Sequence, residues 1–397
     1  MVLIMRKISK ILLYTSIFFI LTACSESDDQ QTGISEAEIL LGSSSALGGH
    51  ASFLGTQYQK GSMAWFNELN AAGGVHGRKI RLISYDDKYD PPLTVENTKR
   101  LIDDDEVFAL FNYVGTPTSV KIIDIVNEAN IPAFGFFTGA EALRTPFRPN
   151  MFHVRASYYE EAEGAIKYFV DDLGFKDIAV FYQDDAFGLA VLEGVNQALN
   201  RRDMQIADTA TYIRGETEVK GAVESLANSK AQAVIMVGTY KPLAKFVKLS
   251  HFQRYFPYFH TVSFVGSKAY GLELKGRGVQ SSELDKIIVT QVVPSPHANE
   301  EAIVSEYREM IKKYFPDEKP NYVSLEGYIN AKILTEALKI AGKELTRTKL
   351  IEAIQGINDL DIGIGKNLVY GPQDNQGLNG VYYSKLGDDG NFHVFNP

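Results

Sequence analysis

The stretch Ala71-Ala72-Gly73-Gly74-Val75-His76-Gly77-Arg78-Lys79-Ile80 joins the end of an amphipathic helix to the start of a strand. Upstream, Thr56 to Ala71 places Tyr58, Met63, Trp65, Phe66 and Leu69 at apolar positions of a helix. Gly73-Gly74 ends that helix, because glycine takes the positive φ of a helix C-terminus without a Cβ penalty. Gly77 is likewise a turn glycine. Downstream, Lys79 to Tyr85 alternates as a strand. Ile39 to Gly42, farther upstream, reads as a buried strand opening into the loop Ser43 to Gly55.

The same alternation continues outward. Asp90-Pro91-Pro92 starts a helix, proline being preorganised for a first turn. Strands are expected at Val107–Asn112, Ile131–Phe136, Ile178–Tyr182, Gln205–Tyr212, Ala233–Val237 and Ile287–Val292. Helices are expected at Thr116–Asn130, Tyr158–Leu173, Ala186–Arg201, Val219–Asn228, Pro242–Phe252, Glu300–Tyr314, Tyr322–Ala341 and Thr348–Gln355. Such alternation implies an α/β chain with parallel sheets covered on both faces. Two βα runs separate near His153 to Ser157. Open parallel sheets take ligands beyond the C-terminal ends of their strands, so two facing sheets would share one cleft.

Length and composition agree with two domains, since 397 residues exceed what one core usually serves. The net charge of −9, with no basic patch, argues against nucleic acid as a partner. Residues 1–23 read as a signal peptide: Arg6, Lys7 and Lys10 precede the apolar run Ile11 to Leu21. That run ends in Leu21-Thr22-Ala23-Cys24, which resembles the bacterial lipobox and makes Cys24 the expected lipidation site, carrying a palmitate-type anchor. Residues 24–37 would be a polar tether. Cys24 is the only cysteine, so disulfides and thiolate metal sites are excluded from the mature domain.

From Ala46 to Gly55 the chain resembles the type I periplasmic binding proteins, most of all the branched-chain amino acid and amide-binding (Leu/Ile/Val-binding) family of ABC importers. Ala71 to Ile80, Asp86-Asp87 with Asp90-Pro91, Leu101-Ile102-Asp103-Asp104 and Gln183-Asp184-Asp185-Ala186-Phe187-Gly188 follow in that family's order and spacing. The resemblance implies two Rossmann-like lobes joined by three crossovers, with a solute held in the cleft between them. Lobe 1 would be residues 38–155 plus 293–378, and lobe 2 residues 156–292 plus 379–397.

The resemblance also nominates site residues. Thr116, in Gly115-Thr116-Pro117-Thr118-Ser119, matches the hydroxyl that holds a ligand carboxylate, and a simple helix cap would read the same way. Thr138 matches a further contact more loosely. Leu54 falls where relatives place an aromatic ring, Phe187 matches an aromatic wall, and Tyr240 a tyrosine facing the cleft. Asp86 and Asp87 read as loop and cap carboxylates before ligand contacts.

At Gly266-Ser267-Lys268, where amino-acid binders carry a glutamate for the ligand ammonium, this chain offers Ser267 and Lys268. Either Asp184 or Asp185 substitutes, or the ligand lacks an α-ammonium, as a carboxylate, amide or aromatic acid would.

The expected function is therefore solute binding for an ABC permease and ATPase complex. The protein would be a monomer, lipid-anchored outside the cytoplasm. A sensory lipoprotein of the same fold is the alternative. No metal or cofactor is expected, because the seven histidines show no zinc-ligand spacing and no phosphate-loop motif occurs. Catalysis is not expected either, for want of a nucleophile and base in a recognisable pattern.

Overall fold

The computed structural model describes residues 32–279 and 281–397, so the expected signal peptide and Cys24 lie outside the described residues. The chain is tied down from Gly33, whose carbonyl accepts from the Leu40 amide at 2.8 Å. The first lobe is built on β1 (Glu38–Ser45), α1 (Ser52–Ala71), β2 (Lys79–Asp86), α2 (Pro91–Asp103) and β3 (Ala109–Phe111). The short helices α3 (Thr116–Ser119) and α4 (Ile123–Glu128) lead to β4 (Ala133–Phe134) and β5 (Met151–Phe152). These strands form one parallel sheet in the order β2-β1-β3-β4-β5.

The chain then crosses to α5 (Tyr158–Ile166), β6 (Ile178–Gln183), α6 (Ala186–Asn200), β7 (Asp208–Tyr212), α7 (Lys220–Ser229) and β8 (Ala233–Val237). The second lobe continues through α8 (Tyr240–Phe252), β9 (Tyr258–Thr261), α9 (Ser267–Gly276) and β10 (Ile287–Gln291). From there it returns to cover the first sheet with α10 (Ala302–Tyr314), α11 (Tyr322–Ala341) and α12 (Arg347–Gln355). A third passage delivers β11 (Tyr382–Leu386) and β12 (Phe392–Phe395) to the second sheet, whose order is β12-β11-β10-β9-β8-β6-β7. Two α/β lobes joined by three passages are the type I periplasmic binding protein fold.

The first lobe depends on the close approach of α1 and α11. A Cβ on Gly61 would lie 1.8 Å from the Ser324 carbonyl oxygen, and one on Gly327 2.1 Å from that of Tyr58. Only glycine lets the two backbones touch there. Phe66, Leu69, Leu325, Ile329 and Leu334 complete the core on either side.

Several local expectations need correction. The second sheet is not wholly parallel, because β11 pairs antiparallel with both β10 and β12. The link between β11 and β12 is only residues 387–391, too short for the crossover that parallel pairing requires. The single helix expected over Thr116–Asn130 is broken by a 3-10 turn at Val120–Ile122. β-branched side chains crowd that segment, and the Thr118 hydroxyl donates to the carbonyls of Val114 and Gly115. The helix expected over Tyr158–Leu173 widens to a π-helix at Lys167–Asp172, which buries the adjacent Phe169 and Val170 together. The strand expected over Ile131–Phe136 shrinks to β4 between Pro132, which has no amide to donate, and Gly135 at φ 80°. Strands β5, β9, β11 and β12 and helix α9 were not foreseen.

Candidate functional site

The C-terminal ends of the first-lobe strands carry a buried hydroxyl pair. After β3 the chain turns at Gly115 (φ 101°), where a Cβ would fall 2.1 Å from Cε2 of Tyr89. Glycine is therefore what lets the Tyr89 ring lie against this turn. Thr116 opens α3, and its Oγ1 is 2.6 Å from Oγ1 of Thr138, which follows β4. Both threonines are fully buried.

Tyr89 is held by its amide, which donates to Asp87 Oδ1 at 2.9 Å. The other Asp87 oxygen accepts from the hydroxyls of Ser44 and Thr94, while burial pushes its pKa up to about 6. Asp86 Oδ1 accepts from the amides of Leu47, Gly48 and Lys88. The acidic pair thus shapes the loops of this face.

The second lobe answers with aromatic rings. Asp185 caps α6 by accepting from the Phe187 amide at 2.9 Å, and its other oxygen accepts from Gln183 Nε2 at 2.7 Å. Arg214 stands 3.6 Å from the same carboxylate. Phe264 lies on the 3-10 turn Ser263–Val265 that follows β9. Behind that turn, the buried carboxylate of Glu161 accepts from the amide and hydroxyl of Ser263 and from the hydroxyl of Thr290.

Between the lobes these rings meet. Phe264 packs on Phe187 (centroids 4.5 Å), Phe137 (5.5 Å) and Tyr89 (5.8 Å), and Phe187 on Tyr158 (5.4 Å). All five are buried. Burial pushes the Tyr158 phenol up to about 12, so it stays a neutral donor.

Cations stand over two of the rings. The Arg155 guanidinium carbon is 4.4 Å from the Phe137 centroid, and that of Arg214 is 5.9 Å from the Tyr89 centroid. Arg155 itself is gripped by Glu326 in a two-point ion pair, Nε to Oε1 at 2.8 Å and Nη2 to Oε2 at 2.9 Å. Burial pulls its pKa down, but the carboxylates of Glu326 and Glu161 more than offset this and keep it protonated. His50 packs edge-on against Tyr89 at 5.5 Å. Burial lowers its pKa, with Arg214 and Lys241 adding to the effect.

Of the residues nominated from sequence, Thr116, Thr138 and Phe187 border this assembly, and Leu54 joins its apolar cluster. Leu54 Cδ2 is so near Gly266 that a Cβ there would lie 2.6 Å away. Tyr240, at the start of α8, packs edge-on against Phe53 of the first lobe at 6.3 Å. Ser267 is buried at the start of α9. Lys268 points elsewhere: its Nζ donates to Asn391 Oδ1 at 2.8 Å, beside His297, Pro320 and Tyr322. Asp184 is exposed.

The residue of that loop which enters the ring assembly is Phe264, four positions before Lys268. Sequence reasoning missed it because β9 went unrecognised, so the reading of its loop began at Gly266. Tyr89, Phe137 and the Arg155–Glu326 pair were missed as well. Among the described residues no group of three or more His, Cys, Asp or Glu is placed to hold a metal ion, and no helix is long and apolar enough to cross a membrane.

The model of the periplasmic binding protein family matches residues 38–391. The chain belongs to that family. A solved structure described as a possible leucine/isoleucine/valine-binding protein from Rhodopirellula baltica is 33% identical to this binding protein. It superposes with a TM-score of 0.85 over 91% of this chain and 97% of that one. The Leu/Ile/Val-binding protein homolog 7 of Brucella melitensis is 24% identical, with 86% of each chain covered. A match to an amino acid binding protein of Pseudomonas aeruginosa, 26% identical, spans 51% of this chain and 54% of that protein, about half its length. The branched-chain amino acid ABC transporter protein of Thermus thermophilus, solved with bound valine, shares the fold at a TM-score of 0.79 and 16% identity over 91% of this chain and 96% of that one.

Proposed function

We propose that this binding protein is an extracytoplasmic lipoprotein, anchored through Cys24, that captures a small amino acid, amide or related carboxylate for an ABC importer. One observation carries the reading: second-lobe Phe264, packed on Phe187, meets the first-lobe rings Tyr89 and Phe137, and the loops that hold those two rings also carry the buried hydroxyl pair Thr116 and Thr138. Such a cleft offers donors for a carboxylate or amide and apolar walls for its body, without any group arranged for bond breaking.

In this reading the lobes, residues 38–155 with 293–378 and 156–292 with 379–397, turn about the three crossovers as a monomer closes on its solute. Closure would hide the ligand and present both lobes to the permease. Relatives named for leucine, isoleucine and valine binding support the solute class in outline. The test is native mass spectrometry of the purified protein, followed by denaturation and identification of whatever it carries. A carried small carboxylate or amide is the expected result. Binding of no metabolite across a broad amino-acid, amide and organic-acid screen would overturn the reading.

A further inference from the structure

The outer end of the first lobe carries a groove that solute binding does not use. It lies where β1 and β2 begin, at the opposite end of the sheet from the loops that hold Tyr89 and Phe137. Its volume is about 370 Å³, and Ile34, Ser35, Arg78, Lys343 and Lys349 line it. Arg78 Nε donates to the Ser35 carbonyl at 2.8 Å, and its Nη1 to the Lys343 carbonyl at 2.6 Å. Lys349 Nζ donates to the Glu344 carbonyl at 2.6 Å. Arg78 and Lys349 thus meet backbone oxygens, and neither forms an ion pair with a carboxylate among the described residues. Lys343, Lys349 and the adjoining Lys79 are exposed. Four cations therefore gather beside two carboxylates, Glu36 and Glu344, in a chain whose net charge is −9.

The chain enters the lobe along this groove, since Ile34 and Ser35 form part of its wall. The ten residues before Ile34, Cys24-Ser25-Glu26-Ser27-Asp28-Asp29-Gln30-Gln31-Thr32-Gly33, hold three carboxylates and no Lys or Arg. The five steps from Asp29 to Ile34 span at most ~18 Å, so those carboxylates are within reach of the groove. Pairs between exposed charges are weak, but the segment is joined to the groove, and its effective concentration there is on the order of millimolar. On the other side of β1, the run Asp103-Asp104-Asp105-Glu106 precedes β3. That acidic run repels a broad anionic surface such as a bilayer, whereas a short acidic segment can keep to the groove. The charges therefore favour an occupant from this chain.

We propose that the segment Glu26–Asp29 docks back into this groove, its three carboxylates pairing with Arg78, Lys343 and Lys349. One consequence rests on the reading of Cys24 as the lipid anchor. Once Asp28 is docked, only four residues, at most ~14 Å of chain, separate the groove from Cys24. Undocked, the ten residues from Cys24 to Ile34 allow up to ~36 Å. Docking thus holds the outer end of the first lobe against the bilayer with the cleft facing away, and high ionic strength lengthens the leash.

The test uses the unlipidated chain from residue 24 to 397, which holds every described residue. Its only cysteine, Cys24, takes a dansyl acceptor, and its only tryptophan, Trp65, is the energy-transfer donor. Trp65 suits the purpose because its Nε1 donates to Thr335 Oγ1 at 2.9 Å, eight residues before Lys343. Transfer should be strong at 10 mM salt and lost at 1 M, where the Debye length shrinks from ~30 Å to ~3 Å. Lys343→Glu/Lys349→Glu should lose it at low salt, and so should Glu26→Lys/Asp28→Lys/Asp29→Lys. Combining the two sets should restore it, which a merely structural effect of either set would not do. Transfer that ignores salt and both sets of substitutions overturns the proposal. So does loss of transfer with the lysine variants alone when the same variants also abolish binding to phosphatidylglycerol vesicles, because the groove then takes a lipid headgroup. The anchor is tested separately by palmitate incorporation into the full-length chain in cells and its loss in Cys24→Ser. No incorporation overturns the leash and leaves the docking result standing.

Discussion

Replacing Glu326 by glutamine tests whether the buried ion pair holds the crossover to the first lobe. Arg155 and Glu326 are 1% and 3% exposed, and two hydrogen bonds of 2.8 and 2.9 Å join them. Glu326→Gln leaves the guanidinium buried against Phe137, its nearest compensating charge gone and only the more distant Glu161 remaining. Removing one partner of a buried pair costs about 3–5 kcal/mol, because the other charge stays desolvated. At ~2–4 °C per kcal/mol for a domain of this size, the first thermal transition should fall by roughly 6–20 °C.

The internal control is Glu163→Gln. Glu163 pairs with Arg201 and Arg202 at the surface, where such contacts are worth only ~0–1 kcal/mol. Because the chain has two lobes, the assay is calorimetry with each transition resolved, checked by urea titration of the same variants. The double variant Arg155→Met/Glu326→Leu should recover most of the loss, since a buried pair is often replaceable by apolar groups of similar volume. A Glu326→Gln midpoint no lower than that of Glu163→Gln would refute the argument.

Three further outcomes are expected. Asp87 has a folded pKa of about 6 against an ordinary 3.8, so its contribution is complete below pH ~4 and is lost as pH rises through 6. Asp87→Asn should therefore remove roughly 2–3 kcal/mol of stability loss between pH 4 and 7, measured by urea midpoints across that range. His50 is held neutral between the lobes, its pKa below 6.5 through burial and then Arg214 and Lys241, so closure is favoured above pH 6.5 and weakened as pH falls below it. Solute affinity should drop between pH 7.5 and 5.5 in the wild type and change less in His50→Gln, as titration calorimetry would record. Finally, Thr116→Ala and Tyr240→Ala should each weaken solute binding by roughly 1–2 kcal/mol, more than Asp86→Ala, whose effect falls on the amides of Leu47, Gly48 and Lys88 and hence on stability. Unchanged dissociation constants in both of the first two would show that the site lies elsewhere.

The alternation of strands and helices was legible because it rests on contacts within a turn or two of chain. Helix α11 and strand β8 fall where apolar periodicity puts them. The stop at Gly73-Gly74 and the start at Pro91 are likewise local, set by φ alone. Local reasoning faltered where neighbours compete, as in the β-branched crowding that breaks the helix after Thr116, and where strands are two or four residues long. Of the residues that meet at the interlobe rings, Thr116, Thr138 and Phe187 were nominated through the family resemblance, whereas Phe264 was not.

Sequence by itself determined a chain of βα units with turn glycines, and a single cysteine just after an apolar run. Only the tertiary structure decided that Phe264, in the loop after β9, joins the buried rings between the lobes, and which donors the nearby carboxylates meet. Those decisions depend on partners distant in the chain: Glu161 reaches Ser263 across 102 positions, and Arg155 reaches Glu326 across 171. Neither propensity nor periodicity extends that far, because both arise from sterics and hydrogen bonds between near neighbours. Whether a buried carboxylate is free to meet a ligand depends on which donors the fold brings to it.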